Sequence, residues 1–576
     1  MSNAKLLRVD VESASVNWEA VPEYLQPWGG RGLTSSLVNQ EVPPTCDAIG
    51  KHNKLVFAPG LLGGTTAPTS GRLSVGGKSP LTGSIKESNA GGIAGSKLVR
   101  SGIKALVLEG LPRDRSLKVL VVSPSDALLV DGERLRGLGN YEVAGILRSE
   151  YGQDAAVISI GPAGENRMRA ASIAVTDREG RPTRHAARGG LGAVMGSKGI
   201  KAIVVDARGH GTLDGVADKK RFQAAVKGFA GELTEHPFTG KVMPLYGTSS
   251  TVTVIDRVAG LPVRNFRTGK FDELSQIDEN QLIKLMEERG GNPTYVCQPG
   301  CVVRCSNIYH GPDGKYLTAS LEYETIVMMG CNLGIADFDA IATLDRLCDD
   351  FGLDTIEIGA ALGVAADAGL MEFGDGEAAI RLVKEIGAGT PLGRILGGGA
   401  KNTGDAFGIT RVAHVKRQAI PAYDPRTMKG TGVTMATSPM GADHTAGNAL
   451  PGTMKVDLMD RAGQAKLAHV LQVRVAALDT IGLCLFVNRL LFDSQTACAA
   501  VVEMINAKLG LSITFDDYLE MGHNVLRTER EFNRRAGFTA AHDRFPDFLY
   551  DEPLPPKDMR FDITQEDLDE AAKASA

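Results

Sequence analysis

The apolar residues of this 576-residue chain change their period once, and that change restricts what it can fold into. Up to about residue 206 the apolar runs are short, β-branched and bounded by Gly, Pro or Ser: KLVFAPG, GRLSVGG, IKALVLEG, LKVLVVSP, AAVISIG and IKAIVVD. Such runs read as strands, with a few helical stretches between them, such as 141–150. Beyond that point apolar residues recur at three and four in KKRFQAAVKGFAGEL, ENQLIKLMEERG, DAIATLDRLCDDF, DTIEIGAALGVAADAG, GEAAIRLVKEIG, KLAHVLQVRVAALDTIG and TACAAVVEMINAKLG. Several of these stop at Gly, as helices do. The expected fold class is α+β: a β-rich base over 1–208, then two mainly helical domains over 209–412 and 413–576. The loop-like string DARGHGTLDG (206–215) marks the first boundary, and the stretch 411–426 divides the helical part. The tail after Asp551 is expected to wrap the surface or fray. Neither a clean βαβ alternation nor a G-x-G-x-x-G after a strand supports a dinucleotide-binding fold.

Composition narrows the function. The hydrophobic share of 43% and charged share of 23% are those of an ordinary globular protein. A net charge of −5 and a pI near 6.1, with no basic stripe, argue against nucleic acid as a partner. No run approaches the roughly 18 apolar residues of a membrane span. The opening MSNAKLLRVDVES lacks the apolar core of a secretory signal, so a cytoplasmic protein is expected. Glycine is in excess, 69 of 576 residues, so the backbone turns tightly or approaches something closely in many places.

Three of the eight cysteines form Cys297-x3-Cys301-x3-Cys305 in TYVCQPGCVVRCSN. Clustered thiols outside a disulfide framework read as metal or redox chemistry. The Pro299-Gly300 pair favours a loop wrapped around a metal centre, and iron–sulfur clusters are held by such a run plus a distant fourth Cys. Cys46, Cys331, Cys348, Cys484 and Cys498 are the candidates. A zinc site would prefer two close pairs.

Two further strings share a pattern: Asp349-Asp350-Phe351-Gly352-Leu353-Asp354 and Asp479-Thr480-Ile481-Gly482-Leu483-Cys484, both D-x-x-G-L-(D/C). One copy alone is an ordinary glycine-stopped helix end. Two copies suit a cofactor with two similar halves. The Gly-dense stretches 71–102 and 187–203 carry Arg and Lys, a composition that cradles anions with backbone N–H groups and guanidinium. Glu322-Tyr323-Glu324-Thr325 and Gly441-Ala442-Asp443-His444-Thr445-Ala446-Gly447 offer carboxylates and a His for acid–base work.

In this order, LLRVDVES, GGRGL, GRLSVGGKSPLTG, NAGG, ARGGLGAVMGSKGIKAI, LPVRNF, the Cys run, EYET, DxxGLD, PAYDPR, GADHTAG and DxxGLC resemble the tungsten-dependent aldehyde:ferredoxin oxidoreductase family over nearly the whole chain. The resemblance implies a tungsten (or molybdenum) bis-pyranopterin enclosed by the base and the two helical domains, a Mg2+ ion bridging the pterin phosphates, and one 4Fe–4S cluster. It places Arg72, Asn89, Gly91, Arg188 and Gly189 at the phosphates and magnesium. Asp349, Leu353 and Asp354 would take one pterin, and Asp479 and Leu483 the other. Cys297, Cys301, Cys305 and Cys484 would hold the cluster. Glu324, preferred over Glu322, and His444 match the active-site pair, with Tyr323 nearby. The implied reaction is oxidation of an aldehyde to a carboxylic acid, with electrons passing to ferredoxin or to iron–sulfur or flavin subunits of an oligomer. The alternative within the family is a benzoyl-CoA-reductase-like or hydroxy-acid oxidoreductase. The chain departs from the family pattern in its x3-x3 cysteine spacing, where x2-x3 is usual, in Met440 before GADH, and in Cys331.

Overall fold

The computed structural model describes residues 4–123, 126–206, 215–451 and 456–573. The chain divides into two compact units, the first being Met1–Lys241 with Val296–Val303 and Val473–Ala536. The second is Val242–Tyr295 with Arg304–Gln472 and Gly537–Ala576. The expected boundary loop at 206–215 lies mostly outside the described residues.

The first unit is built on two six-stranded sheets. One contains β1 (Lys5–Asp10), β2 (Ser15–Ala20), β3 (Leu55–Pro59), β4 (Leu73–Lys78), β5 (Ile85–Ala90) and β6 (Ile103–Glu109), in the order β2-β1-β6-β3-β4-β5. The other contains β7 (Lys118–Val122), β8 (Ala127–Asp131), β9 (Ala156–Ser159), β10 (Ile173–Val175), β11 (Arg184–Ala186) and β12 (Ile200–Val205), in the order β11-β10-β9-β12-β7-β8. All neighbours are antiparallel except β1 with β6 and β7 with β12. The six β-branched runs of the first third are β3, β4, β6, β7, β9 and β12.

Alternation at period two sorts these strands into layers. Leu7, Val9, Phe57, Val75, Leu106 and Leu108 join Leu120, Ile158 and Ile203 in one core. The opposite face of the first sheet, with Leu6, Val56, Ala105 and Val107, packs with Leu33, Leu37 and Val38 of helix Gly30–Glu41 and with Phe532. The opposite face of the second sheet, with Val119, Val157 and Val204, packs with Val143 and Leu147 of helix Asn140–Tyr151. β5 is the exception, since its sequence IKESNA is polar although Lys86 and Glu87 are buried.

The second unit is mainly helical, as the change of period implies. Helix Thr355–Asp367 carries IEIGAALGVA as a buried run, so it reads as apolar all round. Helix Lys429–Thr437 is buried along its whole length and shares a core with Phe545, Phe561, Ile563 and Leu568. Within the described residues the tail after Asp551 is docked rather than frayed: Phe561, Ile563, Leu568 and Ala571 are part of that core. Three strands, β13 (Asn292–Tyr295), β14 (Ser306–His310) and β15 (Tyr316–Ala319), form a small antiparallel sheet, and the Cys run is the connection between β13 and β14. Among the described residues no single helix is long and apolar enough to cross a membrane.

Glycine matters most where the turn 479–482, at the end of helix Gln464–Ile481, meets the base. Leu61 N–H donates to Thr480 O and Leu62 N–H to Ile481 O, at 3.2 and 2.9 Å. A Cβ on Gly60 would lie 2.2 Å from the Gly482 backbone, and one on Gly30 2.0 Å from Asp479 O. Gly145, in helix Asn140–Tyr151, has nothing within 4 Å of the same position. Gly60→Ala is therefore expected to destabilise the protein by about 1–3 kcal/mol through overpacking. Gly145→Ala should stabilise it by about 0.5–1 kcal/mol through helix propensity. Thermal denaturation of the two variants beside the parent checks both signs; an unchanged midpoint for Gly60→Ala would contradict the close approach.

Candidate functional site

In the first unit the chain draws three segments together around Thr69. The loop 298–300 accepts Thr69 N–H at Gly300 O (3.1 Å), and Gln298 Nε2 donates to Thr69 O (2.8 Å). Cys484 N–H donates to that same carbonyl at 3.1 Å. Thr69 does this at φ +61, a left-handed conformation that is costly for a β-branched residue. Such strain, about 1–3 kcal/mol, persists only where the surroundings enforce it. On the other side of the loop, Gly92 N–H donates to Cys297 O (2.8 Å).

Three of the expected cluster ligands, Cys297, Cys301 and Cys484, thus belong to the first unit, and Cys305 belongs to the second. None of the eight cysteines is in a disulfide. The Cys297 thiol is pushed down to about 6 by its hydrogen bond with Cys301, against burial, with the Arg184 and Arg72 charges adding to the shift. A depressed thiol in a cationic setting is the chemistry of a metal thiolate. Among the described residues no three His, Cys, Asp or Glu side chains converge as the ligands of one ion would. Of the other candidates for the fourth ligand, Cys498 donates to Leu491 O, while Cys331 and Cys348 are fully buried thiols whose pKa burial pushes up.

Arg72 and Asn89, two of the residues expected at the phosphates, are joined to the second D-x-x-G-L turn in one hydrogen-bonded chain. Arg72 Nε donates to Asn89 Oδ1 at 2.6 Å, and Asn89 Nδ2 donates to Asp479 Oδ1 at 3.3 Å. Asp479 Oδ2 meets Arg31 Nη1 at 3.5 Å, and Arg31 forks onto both oxygens of Glu529 at 2.9 and 2.8 Å. Gly91 leaves open the space between Arg72 and Cys297: a Cβ there would lie 3.2 Å from Arg72 Nη1 and 3.5 Å from Cys297 Sγ. The Cα face of Gly91, flanked by a guanidinium and a thiol, is the kind of cradle a phosphate-bearing dithiolene ligand requires. Arg188 N–H donates to Ser88 Oγ (3.3 Å), and Gly189, at φ +85, accepts from Ser79 Oγ (2.7 Å). Leu483 is fully buried behind the turn, whose Gly482 adopts φ +81.

The second unit holds the expected acid–base residues, Glu324 and His444. Helix Tyr323–Met329 begins at Glu322, so Glu324 lies in its first turn. Glu322 is taken up by Thr248, whose hydroxyl bonds its carboxylate and accepts Tyr323 N–H. Glu324 turns the other way: Oε2 accepts Ala422 N–H at 2.8 Å, and Oε1 lies 3.2 Å from His444 Nε2. Tyr323 donates to Ala422 O. Tyr423 stands between them, its ring 5.1 Å from Tyr323 and 5.6 Å from His444. Burial pushes both phenols well above their ordinary pKa, Glu324 adding to the effect. Glu324 and His444 keep only 15% and 13% of their side-chain surface exposed, so the pair is partly shielded but not sealed.

The first D-x-x-G-L turn is in this unit too. Gly352 adopts φ +71 and ends helix Phe338–Phe351, with Asp349 buried in its last turn. Leu353 is buried, and Asp354 caps the next helix by accepting Ile356 N–H at 3.0 Å. Thr325, next to Glu324, bonds Thr355, next to Asp354, at 2.9 Å, tying the acid–base helix to this turn. Tyr423, Thr69, Arg31 and Glu529 were not singled out as site residues from the sequence. Tyr423 and Arg31 lie in the PAYDPR and GGRGL strings, whereas nothing in TEREFNRR marks Glu529.

Residues 6–207 match the family described as aldehyde ferredoxin oxidoreductase, N-terminal domain, and residues 224–574 match aldehyde ferredoxin oxidoreductase, domains 2 and 3. The chain is 33% identical to a tungsten-containing aldehyde ferredoxin oxidoreductase of Pyrococcus furiosus, covering 96% of this chain and 92% of that protein. The corresponding protein of Thermococcus kodakarensis gives the same identity and coverage. An aliphatic sulfonate oxidoreductase, WOR-like subunit, of Pyrococcus furiosus is 27% identical over 92% of this chain and 85% of its own length. Among solved structures, the active-site complex BamBC of benzoyl coenzyme A reductase with 1,5-dienoyl-CoA superposes with a TM-score of 0.81. It covers 100% of this chain and 94% of that one at 20% identity, which is a likeness of fold. The matched regions, the base of paired sheets and the two D-x-x-G-L turns lead to one conclusion: this chain belongs to the aldehyde ferredoxin oxidoreductase family, whose named relatives here contain tungsten.

Proposed function

We propose that the protein oxidises aldehydes to carboxylic acids with water, using a tungsten bis-pyranopterin, and passes the electrons through a 4Fe–4S cluster to ferredoxin or a partner electron-transfer subunit in the cytoplasm. The observation that carries this reading is the Glu324–His444 pair, 3.2 Å apart and flanked by two tyrosines. Arg72, Asn89, Gly91, Arg188 and Gly189 would grip the pterin phosphates with Mg2+. Asp349, Leu353 and Asp354 would hold one pterin and Asp479 with Leu483 the other. Cys297, Cys301, Cys305 and Cys484 would ligate the cluster. When bound, the tungsten pterin supplies a two-electron acceptor and a Lewis acid for the carbonyl oxygen.

The residues of this chain divide the remaining work. Glu324 takes a proton from the attacking water, which delivers its oxygen to the carbonyl carbon. His444 orients the aldehyde and polarises its oxygen by hydrogen bonding through Nε2. The aldehyde C–H bond breaks, so that aldehyde plus water gives acid, two protons and two electrons. Ala422 N–H holds the Glu324 carboxylate beside His444. Cys484 lies five residues after Asp479, so a cluster held by Cys484 would sit beside that pterin grip and would give the electrons a short way out.

Elemental analysis with a dye-reduction assay over a panel of aldehydes tests the reading. Tungsten and iron together with aldehyde-dependent reduction support it; both metals without aldehyde turnover contradict it and favour the CoA-ester or hydroxy-acid branch. Glu324→Gln should lower turnover about a hundred- to ten-thousand-fold, the range for losing a general base, at unchanged tungsten and iron content. Substantial activity in that variant removes Glu324 from the mechanism. Cys484→Ser should lose the cluster iron and its reduced-state EPR signal, whereas Cys498→Ser should keep both; iron retention in Cys484→Ser would reassign the fourth ligand.

A further inference from the structure

The Arg31–Glu529 pair has features a purely packed position would not need. Both side chains are almost wholly buried, Arg31 at 2% exposure and Glu529 at 0%. Burying two charges is expensive and repaid only by good geometry with further hydrogen bonds. Here the guanidinium forks onto both carboxylate oxygens, and Ser35 Oγ donates a third bond to Glu529 at 2.8 Å. Apolar residues of the same volume would fill such a place at less cost, so the charge calls for another explanation.

The remaining arm of Arg31 supplies one. Its Nη1 lies 3.5 Å from Asp479 Oδ2, while the other oxygen of Asp479 is held by Asn89. Asp479 is held from both sides, and by partners that come from different elements: Arg31 from helix Gly30–Glu41, Asn89 from β5, with Glu529 behind Arg31 in helix Phe515–Arg535. A third carboxylate, Glu87, is also close; burial and then the Asp479 charge push it up to about 8. Arg31 and Arg72 are the cations that favour the ionised form of Asp479 against burial.

We infer that Arg31 and Glu529 are positioning residues for the pterin grip: Glu529 fixes the guanidinium, and the guanidinium fixes the Asp479 carboxylate in the rotamer that faces the cofactor. The inference rests on the proposed role of Asp479 and adds two residues outside the motif that carries it. Ser35 is the outermost member of the same chain, and its loss weakens the hold on Glu529 without touching a charge.

The test is pterin and tungsten content per chain, with iron content and the thermal midpoint measured on the same preparations. Losing the outer partner of a ligating group typically costs about 10–100-fold in affinity, so Glu529→Gln should bind tungsten pterin at least about tenfold more weakly. The tungsten-to-iron ratio of the isolated protein should fall accordingly. Arg31→Lys, which keeps the charge and loses the fork, should show the same fall, and Ser35→Ala a smaller one. A wild-type ratio in Glu529→Gln and Arg31→Lys overturns the inference while leaving the proposed function intact. A ratio that stays constant while tungsten, iron and thermal midpoint fall together also overturns it, because the pair then only supports the fold. Absence of pterin from the wild-type chain itself overturns both this inference and the reading it rests on.

Discussion

At the turn 479–482 backbone rests on backbone, and much of the first unit is arranged to permit this. Leu61 and Leu62 hydrogen-bond the turn as though it were another strand, and no side chain separates Gly60 from Gly482. Gly29, Gly30 and Gly32 clear the space on the other side, so the helix carrying Arg31 can start against Asp479 O and Thr480. At Gly29, Gly30, Gly32 and Gly60 glycine has a physical reason, since a Cβ at any of them would force these segments apart.

The acid–base group is organised by different means. Glu324 is placed by a helix start, by the Ala422 amide and by His444, with tyrosine rings beside it rather than a close backbone contact. The Ala422 N–H restricts one oxygen of the carboxylate, and His444 lies 3.2 Å from the other. Rigid backbone grips around the expected cofactor and adjustable side-chain contacts at the chemistry are separate solutions to separate demands.

What the sequence disclosed follows from how local each signal is. The short apolar run in KLVFAPG and the period of three to four in DAIATLDRLCDDF each report one element's own burial, so strands and helices of that kind were legible. Helix Gly30–Glu41 starts in GGRGL, and β5 reads IKESNA; both are set by tertiary partners, which overrode propensity. The Cys run and the two D-x-x-G-L turns were visible because their spacing is short. The preference for Glu324 over Glu322 came from position in a family string, and the structure supplies the physical difference, with Glu322 bonded to Thr248 and Glu324 facing His444. The Thr69 junction and the Arg31–Glu529 pair were hidden because the residues that meet are hundreds apart in the chain and carry no pattern of their own.

That separation bears on how the protein is made. Arg31 and Glu529 are 498 residues apart, and at a synthesis rate of about 5–20 residues per second the arginine waits roughly 25–100 s for its carboxylate. Throughout that interval the nascent base has one face of its first sheet without Phe532 and a guanidinium without its permanent counter-ion. The two sheets can form early from contacts within the first 205 residues, yet the unit closes only when the segment Val473–Ala536 has emerged. Completion of the base is therefore a late event in biosynthesis: a chain ending before residue 529 has the helix Gly30–Glu41 on that face but lacks Phe532 in its core and the carboxylate beside Arg31.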